Sequence, residues 1–126
     1  MNLLLDTHTL LWALSAPKKL GRAAMLAIRD PANRVLFSAA STWEIAIKAA
    51  LGKLRADLTL VARAAHEADF EELPVTVTHT IRVQSLAPHH RDPFDRILIA
   101  QGLEEGLTIV TCDPAFQAYG VPTLFT

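Results

Sequence analysis

The sequence has a single cysteine, Cys112, and only four lysines, all in its first half (Lys18, Lys19, Lys48 and Lys53). One thiol cannot close an intramolecular disulfide. The fold must therefore rest on burial, and a reducing compartment, the cytoplasm, is the expectation. A formal net charge of −1 excludes the strongly basic design of a histone or repressor. It leaves nucleic acid open as a substrate, because a bound metal ion can supply the local positive charge. No apolar run is long enough for a signal peptide or a membrane span: Leu3–Leu5 is broken at once by Asp6. Linkers, repeats and low-complexity segments are absent as well.

What is present reads as one globular domain over residues 1–126, with 51% hydrophobic residues against 20% charged. The apolar run Leu3–Leu5 suits a buried strand. His8–Ser15 and Leu20–Arg29 read as helices, the first stopped by Pro17 and the second by Asp30-Pro31. Val35–Ser38 is the next strand. A helix from Ser41 carries Trp43, Ala46, Ile47, Ala50 and Leu51 on one face and ends at Gly52. Leu60–Ala68 gives another amphipathic helix, Leu73–Val77 a short strand, and Thr78–Leu86 a short helix. Asp92-Pro93 opens the clearest helix, with Phe94, Ile97, Leu98, Ala100 and Leu103 facing inward and Gly106 as its stop. Leu107–Cys112 is a strand, and Val121–Phe125 a last edge strand. Short apolar strands alternating with helices predict an α/β fold, a three-layer α/β/α sandwich around a central, mostly parallel sheet.

Four acids stand out by position. Asp6 and Asp113 follow two buried strands, at the sheet edge where open α/β folds bind ligands. Each has a structural alternative, since an Asp there also caps the following helix, and Pro114 favours that role for Asp113. Glu44 fits a capping box with Ser41 and stands four residues before Lys48, the favourable order for a helix ion pair. Asp95 lies in the first turn of its helix, where the helix dipole alone stabilises a carboxylate. Asp92, the N-cap, is either a cap, an outer ligand or both.

The conjunction decides between these readings. In a parallel sheet the strand ends and the first turns of the following helices share one edge, so all four acids converge there. Uncompensated, they would repel one another and raise their proton affinities. A divalent cation relieves this, and oxygen ligands select hard ions, Mg²⁺ or Mn²⁺, over a cysteine-type zinc site. Such ions activate water and polarise phosphoryl oxygens, which points to hydrolysis of a phosphate ester.

The segments Leu4-Leu5-Asp6-Thr7-His8, Ser38–Ile45, His90-Arg91-Asp92-Pro93-Phe94-Asp95-Arg96 and Val110-Thr111-Cys112-Asp113 occur in an order that resembles PIN-domain proteins, in particular the VapC-type toxins of bacterial toxin–antitoxin pairs. The resemblance covers almost the whole chain. It implies a metal-dependent endoribonuclease with catalytic, metal-binding acids at Asp6, Glu44, Asp95 and Asp113. It also implies a supporting hydroxyl at Thr7 or Thr111, a homodimer, and inhibition by an antitoxin protein. Between Asp92 and Asp95, the family pattern favours Asp95 as the direct ligand.

Arg91 and Arg96 flank the Asp95 turn and are candidate contacts for RNA phosphates, with a helix-end charge or ion pair as the alternative. His89-His90, with neither cysteine nor a patterned third histidine nearby, reads as a polar loop. Cys112 reads as buried packing, and Trp12 and Trp43 as core or dimer-interface anchors. Two other functions stay open: a non-catalytic RNA- or protein-binding module on the same fold, and a receiver-like phosphoacceptor. The second wants a lysine after a late strand, and the sequence has none there.

Overall fold

The computed structural model describes all residues, 1–126. Five strands form one sheet: β1 (Asn2–Leu5), β2 (Arg34–Ser38), β3 (Glu71–Leu73), β4 (Thr108–Thr111) and β5 (Thr123–Phe125). Their order is β3-β2-β1-β4-β5, and every pairing is parallel. The six α-helices are α1 (Thr7–Ser15), α2 (Arg22–Arg29), α3 (Ala39–Ala50), α4 (Leu58–Glu67), α5 (Val77–Ser85) and α6 (Pro93–Glu105); 3-10 turns cover Pro17–Lys19 and Pro114–Tyr119.

Strand alternation divides the buried side chains between two cores. Leu3, Leu5, Val35, Phe37 and Val110 face one side, where they meet Leu10 of α1, Ala24 of α2, Ile45 of α3 and Ala65 of α4. Leu4, Leu36 and Ile109 face the other, against Leu98 and Ile99 of α6, with Leu107, Phe116 and Val121. A strand buried on both faces cannot show polar alternation, which is why the runs Leu3–Leu5 and Ile109–Val110 are apolar throughout. Three layers, α/β/α, follow directly. No helix is long and apolar enough to cross a membrane.

Close packing of α6 on the sheet requires a glycine at one place. A Cβ on Gly102 would lie 2.9 Å from Val121 Cγ2 and 3.0 Å from Ile109 Cδ1. Helix α6 ends at Gly106, whose φ of 65° is left-handed.

Most expected elements are present, with shifts at their ends. Helix α3 begins at Ala39, capped by Ser38 rather than Ser41. The strand expected at Leu73–Val77 lies earlier, at Glu71–Leu73, where it pairs with Leu36–Ser38. Tertiary pairing, rather than the apolarity of Val75 and Val77, sets that register: both valines are exposed.

Strand order places the switch point of the sheet at β1. The chain runs outward from β1 to β2 and β3, then returns to place β4 on the other flank of β1. In open α/β sheets such a switch point forms a crevice at the C-terminal ends of the strands beside it, here β1 and β4.

Candidate active site

Each side of that crevice is built by a short, local device. Asp6 directly follows β1 and is the N-cap of α1, its Oδ1 accepting from Thr9 N–H at 2.9 Å. Its Oδ2 accepts the Thr111 hydroxyl, from the last residue of β4, at 2.6 Å. Thr111 Oγ1 also accepts the Asp113 N–H at 3.0 Å. One buried hydroxyl thus couples the two strand-end acids. Asp113 in turn caps the following 3-10 turn through Ala115 N–H, at 2.9 Å.

Glu44 comes from the second turn of α3 and is almost wholly buried. With the helix starting at Ala39, the capping box expected with Ser41 does not form; Glu44 Oε1 accepts the Thr7 hydroxyl at 2.7 Å instead. Oε2 accepts from Lys48 Nζ at 2.7 Å, the ion pair expected from the i,i+4 spacing. That hydrogen bond is the main reason the Lys48 ammonium holds its proton above the ordinary lysine range, against a smaller opposing effect of burial. Both candidate supporting hydroxyls are therefore engaged, Thr7 on Glu44 and Thr111 on Asp6.

Asp92 is the N-cap of α6, its Oδ1 accepting from Phe94 N–H at 2.9 Å and more weakly from Asp95 N–H at 3.5 Å. The cap leaves Asp95 in the first turn, directed to the crevice. There burial, followed by the charge of Asp92, pushes the Asp95 carboxyl from 3.8 to about 7; His90 opposes the rise, while Asp6 and Glu44 add to it. Desolvation penalises the charged form and like charges penalise it again. Of the four acids expected at one edge, Asp95 and Asp113 come together around a histidine, while Asp6 and Glu44 lie near enough for their charges to act on Asp95 but stand outside that group.

His90 belongs to this group, although its local sequence is that of a polar loop. Its Nε2 lies 2.9 Å from Asp95 Oδ2 and forms a 3.2 Å hydrogen bond with Asp113 Oδ2. Potential ligand atoms of His90, Asp95 and Asp113 all fall within 4.8 Å of one another. The adjacent His89 is exposed and stacks edge-on against Tyr119 at 5.3 Å. No local pattern separates these two histidines; only the path of the loop does.

Arg96 holds that path. Its NH1 donates to the carbonyls of Ala87 and His90 and to the Tyr119 hydroxyl, and its NH2 to the carbonyls of Val83 and Leu86. The guanidinium is committed to the protein itself, organising the turn between α5 and α6. Arg91 is exposed beside the crevice. One further expectation changes: Cys112 is exposed, because β4 ends one residue earlier; Trp43, 63% exposed in edge contact with Phe94 at 5.2 Å, is no core residue, which leaves its interface alternative.

The donor set suits a hard divalent cation. Its acids supply carboxylate oxygens, no thiolate takes part, and Asp95 is a half-buried carboxylate whose ionisation a cation would favour.

Comparison with curated protein sequences finds no match. Among solved structures, the fold is similar to that of a chain in VapBC2 from Rickettsia felis bound to a promoter DNA fragment, at 13% identity, 99% and 98% coverage of the two chains and a TM-score of 0.73. A chain of DNA-bound VapBC from Salmonella typhimurium is similar over the same 99% and 98% of the two chains, with 16% identity and a TM-score of 0.71. FitAcB from Neisseria gonorrhoeae aligns over 97% and 96% at 20% identity, with a TM-score of 0.60. At such identities the likeness is one of fold. The sequence itself matches the family profile described as PIN domain over residues 3–122, nearly its full length, and the chain belongs to the PIN-domain family.

Proposed function

We propose that this chain is a Mg²⁺- or Mn²⁺-dependent endoribonuclease, the toxin member of a cytoplasmic toxin–antitoxin pair. The observation that carries the proposal is the grouping of Asp95 and Asp113 with ligand atoms within 4.8 Å of His90 and of one another, where the charges of Asp6 and Glu44 also act on an Asp95 carboxyl driven up to about 7. A group of acids so arranged destabilises itself, and a site that retains such strain is a candidate for function.

In this reading Asp6, Asp95 and Asp113 hold the ion, and Glu44 completes the acidic wall. When bound, a divalent ion supplies a water of lowered pKa and charge stabilisation for the phosphoryl oxygens. The chain's own residues orient the acids. Thr111 holds one Asp6 oxygen and Thr9 N–H the other, so the carboxylate plane cannot rotate freely. Thr7 and Lys48 fix both oxygens of Glu44 in the same manner. Arg91, exposed at the mouth, contacts the RNA backbone.

The antitoxin partner is supported by the similar folds found in VapBC and FitAB assemblies. A homodimer is supported by an apolar cleft lined by Ala40, Trp43, Val75, Phe94 and Ile97, in which Trp43 and Val75 are exposed. Contiguous apolar surface of this kind marks association sites.

The test is cleavage of a labelled RNA by purified protein with Mg²⁺, with Mn²⁺ and with chelator, alongside Asp6→Asn and Asp113→Asn. Cleavage restricted to the wild type with ion supports the proposal. Equal cleavage by wild type and both variants overturns it and identifies a contaminating nuclease.

A further inference from the structure

The role of His90 rests on the metal-site reading above but goes beyond it. An imidazole placed among carboxylates can serve as a ligand, offering a lone pair, or as a donor, offering a proton. The two roles require opposite tautomers.

The other ring nitrogen decides between them. Asp92 N–H donates to His90 Nδ1 at 3.3 Å. A backbone N–H cannot reverse its polarity, so the Nδ1 lone pair is used and the proton of a neutral ring resides on Nε2. Histidines that ligate metals show the reverse: the nitrogen away from the ion donates to a carboxylate or carbonyl. Ligation through Nε2 here would place a proton on Nδ1, facing the Asp92 N–H. Two donors would then oppose one another.

The ring is also held in place. His90 N–H donates to the Tyr119 hydroxyl at 2.7 Å, and Arg96 NH1 donates to the His90 carbonyl at 3.2 Å. The ring edge packs on Phe116, with centroids 6.0 Å apart. Its proton-bearing Nε2 is thereby delivered between Asp113 Oδ2 and Asp95 Oδ2.

We propose that His90 is an internal competitor for the cation: its Nε2–H bonds the Asp113 oxygen and its ring stands against the Asp95 oxygen that a divalent ion would take, so the residue limits how tightly this chain holds its metal. The acids thus have a resident donor partner, and an ion binding through Asp95 and Asp113 displaces it. His90 is a positioning residue in this scheme and not a ligand.

The test is calorimetric titration of Mg²⁺ and of Mn²⁺ into the full chain as wild type, His90→Ala, His90→Gln and Asp113→Asn. His90→Ala should bind both ions more tightly, by roughly tenfold, the scale of one lost charge-assisted hydrogen bond. His90→Gln keeps an amide N–H donor near the Nε2 position and should stay near wild type. Weaker binding by His90→Ala makes His90 a ligand and overturns the proposal; unchanged binding overturns it too. If the folded wild type and all three variants bind neither ion, the metal-dependent function itself falls. If wild type binds, Asp113→Asn does not, and His90→Ala matches wild type, only the His90 proposal fails.

A second readout does not depend on a folded variant. Imidazole ¹⁵N resonances of wild-type His90 should report the Nε2–H tautomer, and the Nε2–H should lose its protection from exchange on saturation with Mg²⁺. An Nδ1–H tautomer, or resonances indifferent to Mg²⁺, overturns the proposal.

Discussion

The Thr111 hydroxyl donates a 2.6 Å hydrogen bond to Asp6 Oδ2, joining the ends of β4 and β1 across 105 positions of sequence. Both residues are buried, and neither has another side-chain partner that could replace the other. Thr111→Val preserves shape and strand propensity but removes the donor. A buried acceptor left unpaired costs about 1–3 kcal/mol, and the thermal midpoint should fall accordingly. RNA cleavage should drop further than this loss of stability accounts for, and Thr111→Ser should restore most of both. Equal activity in Thr111→Val and wild type, under conditions where both are folded, would separate the bond from function.

Asp95 makes the stability of the protein depend on pH. Its carboxyl is pushed up to about 7, against an ordinary 3.8, by burial first and the Asp92 charge second. The folded state therefore binds this proton more tightly than the unfolded chain. The group's effect is neutral below about pH 4, becomes increasingly destabilising as pH rises, and is complete above about pH 7. In chelator, Asp95→Asn should remove that part of the slope between these limits and be the more stable protein at neutral pH. Parallel melting curves for the two proteins across this window would refute the assignment.

Arg96 tests whether the α5–α6 turn is held from within. Arg96→Lys keeps the charge but loses the planar fork that reaches four carbonyls and the Tyr119 hydroxyl. A loss of about 1–3 kcal/mol is expected by chemical denaturation, in the range for losing part of a half-buried hydrogen-bond network. Arg91→Ala should leave stability unchanged and raise KM for RNA with little effect on kcat. If Arg96→Lys behaves like Arg91→Ala, the guanidinium faces substrate after all.

Gly102→Ala addresses the fit of α6 on the sheet. The added methyl would meet Val121 Cγ2 at 2.9 Å and Ile109 Cδ1 at 3.0 Å. Both lie in a filled core, so the relief must come from shifted side chains or a displaced helix. Overpacking of this kind costs about 1–3 kcal/mol. Because α6 also carries Asp95, cleavage should fall along with stability; a Gly102→Ala protein as stable as wild type would show that the packing yields freely.

Local chemistry was legible in the sequence, and it was legible for a reason. Helix caps, proline stops and apolar runs act over a few residues, so Asp92-Pro93, Gly106 and Leu3–Leu5 announce their roles wherever the chain goes. From these signals alone came the α/β layers, the clearest helix and the edge on which the acids lie. Strand order was not written locally: no short pattern states that β4 returns to the flank of β1. That return brings Thr111 to Asp6, the β1–β2 pairing brings Thr7 to Glu44, and the path of the loop before α6 puts His90 against Asp95 and Asp113. Other departures were local: Ser38 caps α3 three residues before Ser41, which frees Glu44 from a capping box, and Arg96 bonds the carbonyls of the turn that precedes it. The sequence by itself determined which acids stand at the ends of elements, because capping and burial are short-range. Only the tertiary structure decided which of them meet and which donors hold them, because those contacts depend on strand pairing and loop path across the whole chain.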